Sequence, residues 1–337
     1  MRHFGVLTVT GVAALATLIV LSIVVGSTSI PLAEVGTAIA MGLGLIDSDP
    51  TPMSRIILDL RLPRALFAAI IGAGLGIVGV LLQTTTRNDL ADPFLFGLSS
   101  GAAAGAVFVI TVTGDILEIW TLPIAAFSGG IIASAVVLTL VQVLRNSAPE
   151  KLILAGLAVS FLFSAITNFL IFFGDSRAVH SVVFWMLGGL GLARWSSLPI
   201  VLGSLVVIFA FALYNNRRLD ALLTGDTTAL SLGVPVGRLR MLVFFVSALA
   251  TAAFVSVAGV IGFIGLMVPH LARGLVGPLH FALLPAAAIC GALLLTASDI
   301  LARVLLAPQD LPVGIVTTSL GAVFVFALLI YGRRMRR

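Results

Sequence analysis

Apolar runs close to 20 residues long recur along the chain, divided by short stretches that hold most of the charge. A helix rises about 1.5 Å per residue, so a run of that length matches the hydrocarbon thickness of a bilayer. The pattern predicts ten spans, at about 4–26, 63–82, 94–112, 119–143, 152–173, 197–214, 241–259, 262–275, 284–306 and 312–331. Residues 27–62 carry Pro31, Pro50, Pro52 and several charges, and read as an external segment with a short helix near 32–43. A second external segment, 175–196, holds an amphipathic piece at 182–190 (VVFWMLGGL) and Trp195 at the interface. A third external turn lies at 308–310. The internal pieces are 145–151 (RNSAPEK), the long loop 215–240, a turn at 277–281 and the tail 332–337 (GRRMRR).

The chain is organised around 61–106, two embedded helices joined by a polar connector. Gly72 and Gly76 lie four apart, as do Gly101 and Gly105, so each pair puts a groove on one helix face. The connector RNDLADP (87–93) is too polar for the hydrocarbon core and too short for a domain. Asn88 and Leu90 are its candidate gate residues. The second to fifth spans begin outside, and the seventh to tenth begin inside. GFIGLMVPHLARG (262–274) holds the place in the second half that FLFGLSSGAAAG (94–105) holds in the first. The expected fold is therefore an all-α polytopic membrane protein, one transmembrane domain over 1–337, with an inverted internal repeat.

Composition supports that class. Of 337 residues, 60% are hydrophobic and 10% charged; soluble domains carry about 25% charged residues. The mean hydropathy is +1.20. A β-barrel would show short alternating segments instead. The single cysteine, Cys290, sits in an apolar run, so no disulfide forms within the chain. The net charge of +5 flanks the apolar runs rather than forming a patch for nucleic acid. The layout puts 13 of the 19 Lys and Arg residues inside, which predicts cytoplasmic termini.

Catalytic chemistry is not evident. No paired carboxylates, HExxH, GxSxG or Cys/His cluster occurs. A P-loop needs GxxxxGK[ST], and the only lysine, Lys151, follows Glu150. ATP and Mg would have to be held by a partner, with no cofactor on this chain. Ion-coupled transporters keep ionisable groups near mid-depth. The layout places none of the 14 acids there. His270 follows Pro269 without a neighbouring acid or cysteine at ligand spacing, and reads as structural rather than metal-binding. Ser164 and Asn168, one turn apart on the fifth span, either line a pathway or bond across helices. Phe161, Phe169 and Phe172 on that span read as packing, though such a wall also tolerates a ring-bearing ligand.

The loop segment 219–234 (LDALLTGDTTALSLGV) reads as two short helices broken at Gly225 and Gly233, with Asp226 or Thr227 as cap of the second. Arg61 and Arg64 stand at the external mouth of the second span, and Arg303 lies one turn beyond Asp299 on the ninth. They read as snorkelling anchors, or as an Asp299–Arg303 pair.

RLPR (61–64), Gln83, RNDLADP (87–93) and FGLSSGA (96–102) resemble the permeases of bacterial ABC importers for iron–siderophore complexes, haem and vitamin B12. GFIGLMVPHLAR (262–273), LLPAAAICGALLLTASDILAR (283–303) and LPVGIVTTSLGAVFVFALL (311–329) continue the likeness, which covers 55–331. Asp89 and Val323 stand where the family usually has proline, and Gln309-Asp310 departs from its pattern before Leu311-Pro312. The resemblance implies import of an iron chelate, a ferric siderophore or haem, with vitamin B12 as the alternative. It implies a second copy or close paralogue, two ATP-binding cassette subunits and a periplasmic or lipid-anchored binding protein, all at the bacterial inner membrane. It makes Gly225, Asp226, Ala229, Leu232 and Gly233, which match G-[DE]-x-x-A-x-x-L-G, the ATPase-coupling segment. Ala229, Leu230 and Leu232 would form its apolar contact. It also makes Arg61, Arg64 and Arg303 the docking points for glutamates of the binding protein.

Overall fold

The computed structural model describes residues 2–332 apart from 27, 48, 50, 115 and 144–147. Arg145 and the tail arginines beyond 332, which entered the topology reading, lie outside the described residues. The helices are α1 (Arg2–Val24), α2 (Leu32–Gly42), α3 (Pro52–Arg55), α4 (Leu62–Thr86), α5 (Leu98–Phe108), α6 (Thr121–Val143), α7 (Pro149–Phe173), α8 (Ser176–Met186), α9 (Leu198–Tyr214), α10 (Asn216–Leu223), α11 (Asp226–Ser231), α12 (Val236–Ala258), α13 (Ile264–Val276), α14 (His280–Val304) and α15 (Val313–Gly332). The ten expected spans are α1, α4, α5, α6, α7, α9, α12, α13, α14 and α15. Among the described residues, eight helical stretches are long and apolar enough to cross a bilayer. The third and eighth spans are shorter, at Leu98–Thr113 and Ile264–Val276. Each begins after a left-handed residue, Gly97 (φ 79°) or Phe263 (φ 67°). Phe263 takes that strained backbone with its ring packed where a side chain on Gly321 would otherwise sit.

Two elements differ from the hydropathy reading. The second span is preceded by helix where an external loop was expected, and helical backbone runs unbroken from Pro52 to Thr86 through a π turn at Ile56–Arg61. The start is encoded locally. Thr51 Oγ1 accepts from the Ser54 N–H at 3.1 Å, and Pro52 takes the first helical position. The charges of Arg55, Asp59 and Arg61 mask this in a hydropathy profile. The external amphipathic helix, α8, starts at Ser176 rather than 182, because Asp175 accepts from the Ala178 N–H at 2.7 Å. It stops before Gly188, whose φ is 70°.

The core is built round α4. Every residue from Ile71 to Thr86 is buried. Its neighbours are α14, α13, α12, α9 and α1. Lipid tails are as apolar as leucine, so such helices gain by close van der Waals approach. Gly72 lies against the backbone of Gly291 and Gly76 against Ala287, both on α14, and Gly79 lies against Gly265 on α13. Gly101 and Gly105 bring α5 equally close to Gly129 and Ala125 of α6. Both predicted grooves are helix contacts.

The packing repeats with the halves exchanged. α5 packs on α6 and α7, as α13 packs on α14 and α15. α4 crosses to α13 and α14, as α12 crosses to α5 and α6. That exchange is the expected inverted repeat. It leaves α4 and α12 as the inner pair.

A methyl group at Gly79 would overlap the Gly265 carbonyl, which is backbone and cannot turn aside. Gly79→Ala should therefore lose about 1–3 kcal/mol of stability. Gly203 on α9 has open space at the same position. Gly203→Ala should be neutral or gain up to about 1 kcal/mol from helix propensity. Thermal midpoints in detergent, read by loss of the monodisperse peak, separate the two; equal midpoints would rule out the close approach.

Candidate functional site

The internal loop forms two short helices, α10 and α11, as the glycine breaks predict. Gly225 (φ 108°) and Gly233 (φ 79°) adopt backbone that favours glycine. On α10, Leu219 and Leu222 are fully buried against the spans. On α11 the predicted apolar contact divides. Ala229 is fully buried and belongs to this chain's own core, whereas Leu230 and Leu232 are 57% and 67% exposed. Only those two leucines are free to meet a partner. Asp226 does not cap α11, whose N-cap, Gly225, has no side chain. Its carboxylate instead accepts from Arg240 Nη2 of α12, at 3.2 Å to each oxygen. Arg87 stands 3.9 Å from the same carboxylate.

These ties lead to the last turn of α4. Arg240 Nε donates to the Thr85 carbonyl at 2.8 Å. Asp220 of α10 accepts from the backbone N–H of His280 at 2.9 Å and lies 2.7 Å from its Nδ1. The other ring nitrogen of His280 is 2.9 Å from Thr84 Oγ1. Gln83 accepts from Arg273 of α13 at 2.8 Å and donates to the Gly265 and Leu266 carbonyls at 3.3 and 3.2 Å. Three consecutive positions, 83–85, thus gather α10, α11, α12, α13 and α14 round one helix end. Sequence reasoning gave no site role to Gln83, Asp220, Arg240, Arg273 and His280. Gln83 and Arg273 stood out only as members of the motifs that carry the resemblance, and the others only as polar side chains at the ends of apolar runs.

The connector closes the same end. Arg87 ends α4 in left-handed backbone (φ 50°). Asn88 Oδ1 accepts from the Leu90 N–H at 3.0 Å, a local turn, and Leu90 is 48% exposed. Asp89 holds the turn that proline would otherwise stiffen. Its carbonyl is 3.0 Å from His270 Nε2 and its carboxylate 3.4 Å from Arg273. His270 thus has a structural partner. Asp92 is buried at the start of the Pro93–Phe96 turn and accepts from the Phe94 N–H at 2.9 Å. Burial pushes its carboxyl up to about 6, only partly opposed by that hydrogen bond.

At the opposite end of α4 the three arginines turn into the chain's own packing. Arg61 and Arg303 are buried, 9% and 4% exposed, and face inward. Arg61 donates to the carbonyls of Ile23 at 2.7 Å and Val24 at 3.1 Å, and Arg303 to those of Ser22 and Val25 at 2.9 Å. These carbonyls end α1 and have no partner within their own helix. Asp299 is fully buried between Arg303 at 3.0 Å and Arg64 at 2.9 Å. Arg64 also reaches Asp310 at 2.6 Å. The Asp299–Arg303 pair is therefore real, and the arginines fasten α1, α4 and α14 together. On α7, Ser164 and Asn168 are exposed, on a helix where Phe161, Phe169 and Phe172 are 68%, 62% and 82% exposed.

Because the Asp92 carboxyl lies above its ordinary range, ionising it weakens the fold. Its contribution is intact below about pH 4 and is lost as pH rises through about 6. Asp92→Asn keeps the acceptor for Phe94 and cannot ionise. It should match the wild type near pH 4 and exceed it at pH 8 by on the order of 3 kcal/mol at most. Thermal midpoints of both proteins at the two pH values test this; parallel curves would contradict the buried acid.

The FecCD transport family model matches residues 14–331. The chain is 40% identical over 284 residues to the cobalamin import system permease protein BtuC of Halobacterium salinarum, covering 83% of this chain and 74% of that protein. It is 38% identical over 287 residues to the hemin transport system permease protein HmuU of Yersinia pestis, covering 84% and 86%. A solved metal-chelate type ABC transporter in an inward-facing conformation superposes with a TM-score of 0.83 at 31% identity, covering 96% of this chain and 98% of that one. With its recurrent apolar spans and its buried, glycine-packed core, this multi-pass membrane protein belongs to the FecCD transport family.

Proposed function

We propose that the chain is the transmembrane permease of an ATP-driven importer and carries an iron chelate, a ferric siderophore or haem, across the bacterial inner membrane. The observation that carries this reading is the pair α10–α11 on the cytoplasmic side of a FecCD-family permease. Its buried face is fixed to the last turn of α4, while Leu230 and Leu232 are left exposed. An exposed leucine pair on an anchored helix suits the groove of a separate ATPase. The sequence has no P-loop, so nucleotide and Mg belong to that partner. A second reading, cobalamin import, is favoured by the 40% identity to a permease of that name.

Two copies, or one copy and a close paralogue, form the pathway, with two ATPase subunits inside and one binding protein outside. The α7 face with Ser164 and Asn168 supports this. A polar pair facing lipid is costly, whereas facing a second copy or a watery pathway it is tolerated. The α15 helix, with Val323 and Phe326 65% and 64% exposed, forms the other wall. The large phenylalanines of α7 then present apolar rings to a bulky chelate. Docking of the binding protein uses external residues other than the sequestered Arg61 and Arg303.

Leu232→Asp places an unpaired charge in the ATPase groove, at about 3–5 kcal/mol. The chain should insert normally, because Leu232 touches little of its own core. The co-expressed ATPase should fail to co-purify; full retention would move the coupling surface elsewhere. Orientation is tested in a Cys290→Ser background. Thr228→Cys should react with an impermeant maleimide only from the cytoplasm, and Gln309→Cys only from outside. The opposite sidedness would overturn the topology.

A further inference from the structure

Two chains of polar contacts leave the coupling helices and arrive on adjacent residues of α4. From α11 the chain is Asp226, Arg240 and the Thr85 carbonyl. From α10 it is Asp220, His280 and the Thr84 hydroxyl. In both, the acid is partly exposed, Asp226 36% and Asp220 27%, and the groups it reaches, Arg240, His280 and Thr84, are buried.

The second chain has a defined sense. A carboxylate only accepts, so Nδ1 of His280 carries the proton directed at Asp220. In the neutral ring, Nε2 then accepts from the Thr84 hydroxyl. The neighbouring Thr85 and Thr86 turn their hydroxyls back to the Leu81 and Leu82 carbonyls at 2.8 and 2.7 Å. Thr84 directs its own to another helix. The same Asp220 oxygen accepts from the His280 N–H, the first residue of α14. That N–H lacks a partner within its helix, and a negative charge there is favoured. Asp220 therefore caps α14 from outside it. α10 cannot slide across the membrane domain without uncapping α14 and breaking the contact to α4.

We propose that Asp220–His280–Thr84 is a positioning relay, which converts displacement of α10 by the ATPase into displacement of α4 and α14. The inference rests on the importer reading above. The apolar seat of α10, Leu219 and Leu222, holds it on the bundle but sets no direction, since apolar contact is non-directional. Hydrogen bonds are directional, and in a dry, low-dielectric setting they strengthen. The relay therefore fixes both the register and the sense of the push. His280 and Thr84 are buried among this chain's own helices. They act through α4.

The test uses the full complex with its ATPase and binding protein in proteoliposomes. Labelled haemin, ferric dicitrate and cyanocobalamin are the probes. The readout is probe moved per ATP hydrolysed, which a purely structural defect leaves unchanged as both rates fall together. Thr84→Val removes the hydroxyl at nearly constant shape and should lower that ratio by about three- to ten-fold, with the ATPase still co-purifying. Thr84→Ser restores the hydroxyl and should restore the ratio. Should Thr84→Val fail to insert, Asp220→Ala, which removes the oxygen that accepts from both the α14 N–H and His280 Nδ1, is read in the same way. A wild-type ratio in the hydroxyl-free variant, with wild-type uptake intact, overturns the relay alone. No ATP-driven uptake of any probe by the wild type overturns the importer reading, and the relay with it.

Discussion

The close approach of α4 to α14 and α13 is the constraint on which the other features depend. Between helices in a bilayer there is little hydrophobic driving force, and association relies on how near two backbones come. At Gly72, Gly76 and Gly79 there is no side chain to hold the neighbour off. That contact explains why α4 is buried on all sides, and a helix buried on all sides has no lipid face. Polar groups on it must then find protein partners. Its C-terminal end supplies them in a run of Gln83, Thr84, Thr85 and Thr86, each hydrogen-bonded through its side chain.

The external end obeys the same rule with charges in place of amides and hydroxyls. The three guanidinium groups at this end are buried or partly buried, and they persist because each has several acceptors. The Asp299 carboxylate, fully buried, lies between two of them. Carbonyls at the end of α1 take most of the other donors. Replacing one member would strand the rest, which is costly for a buried charge. Arginine at the edge of an apolar run thus has two physically different fates. It can snorkel to water, or it can end a neighbouring helix. Hydropathy cannot separate the two.

This marks what was legible in the sequence. The ten spans were, because length and apolarity report directly on the bilayer. So were α10 and α11, because Gly225 and Gly233 punctuate a segment of helical composition. The groove glycines were legible as grooves, though not as to which helix fills them. Direction was not legible. Ala229 and Leu232 lie three apart on one short segment, yet the first points into the bundle and the second away. Only the position of α10 and α12 against α11 decides that. The helix before Arg61 was hidden because its charges outweigh the cap at Thr51. The network at Gln83–Thr86 was hidden because its members lie as much as 197 residues apart in sequence, as His280 and Gln83 do.

With both ends fastened and the middle in backbone contact, α4 and α14 behave as one body. Arg64 bonds to Asp299 at the outer end, Gly72 meets Gly291 between, and Thr84 meets His280 at the inner end. A helix of 25 residues spans about 37 Å, so these ties cover the thickness of a bilayer. Packed cores are bistable rather than continuously deformable, so a load applied at one end moves the whole unit. The α7 helix is different in kind. It is far less buried than α4, and its aromatic and polar side chains are exposed along one chain. Alternating access needs a rigid part that receives the push and a face that exchanges partners. In this chain the two requirements fall on different helices. Under the proposed importer reading, the α4–α14 unit receives displacement next to α10 and α11, and α7, joined to it through α5, α6 and α12, carries the surface that changes its environment.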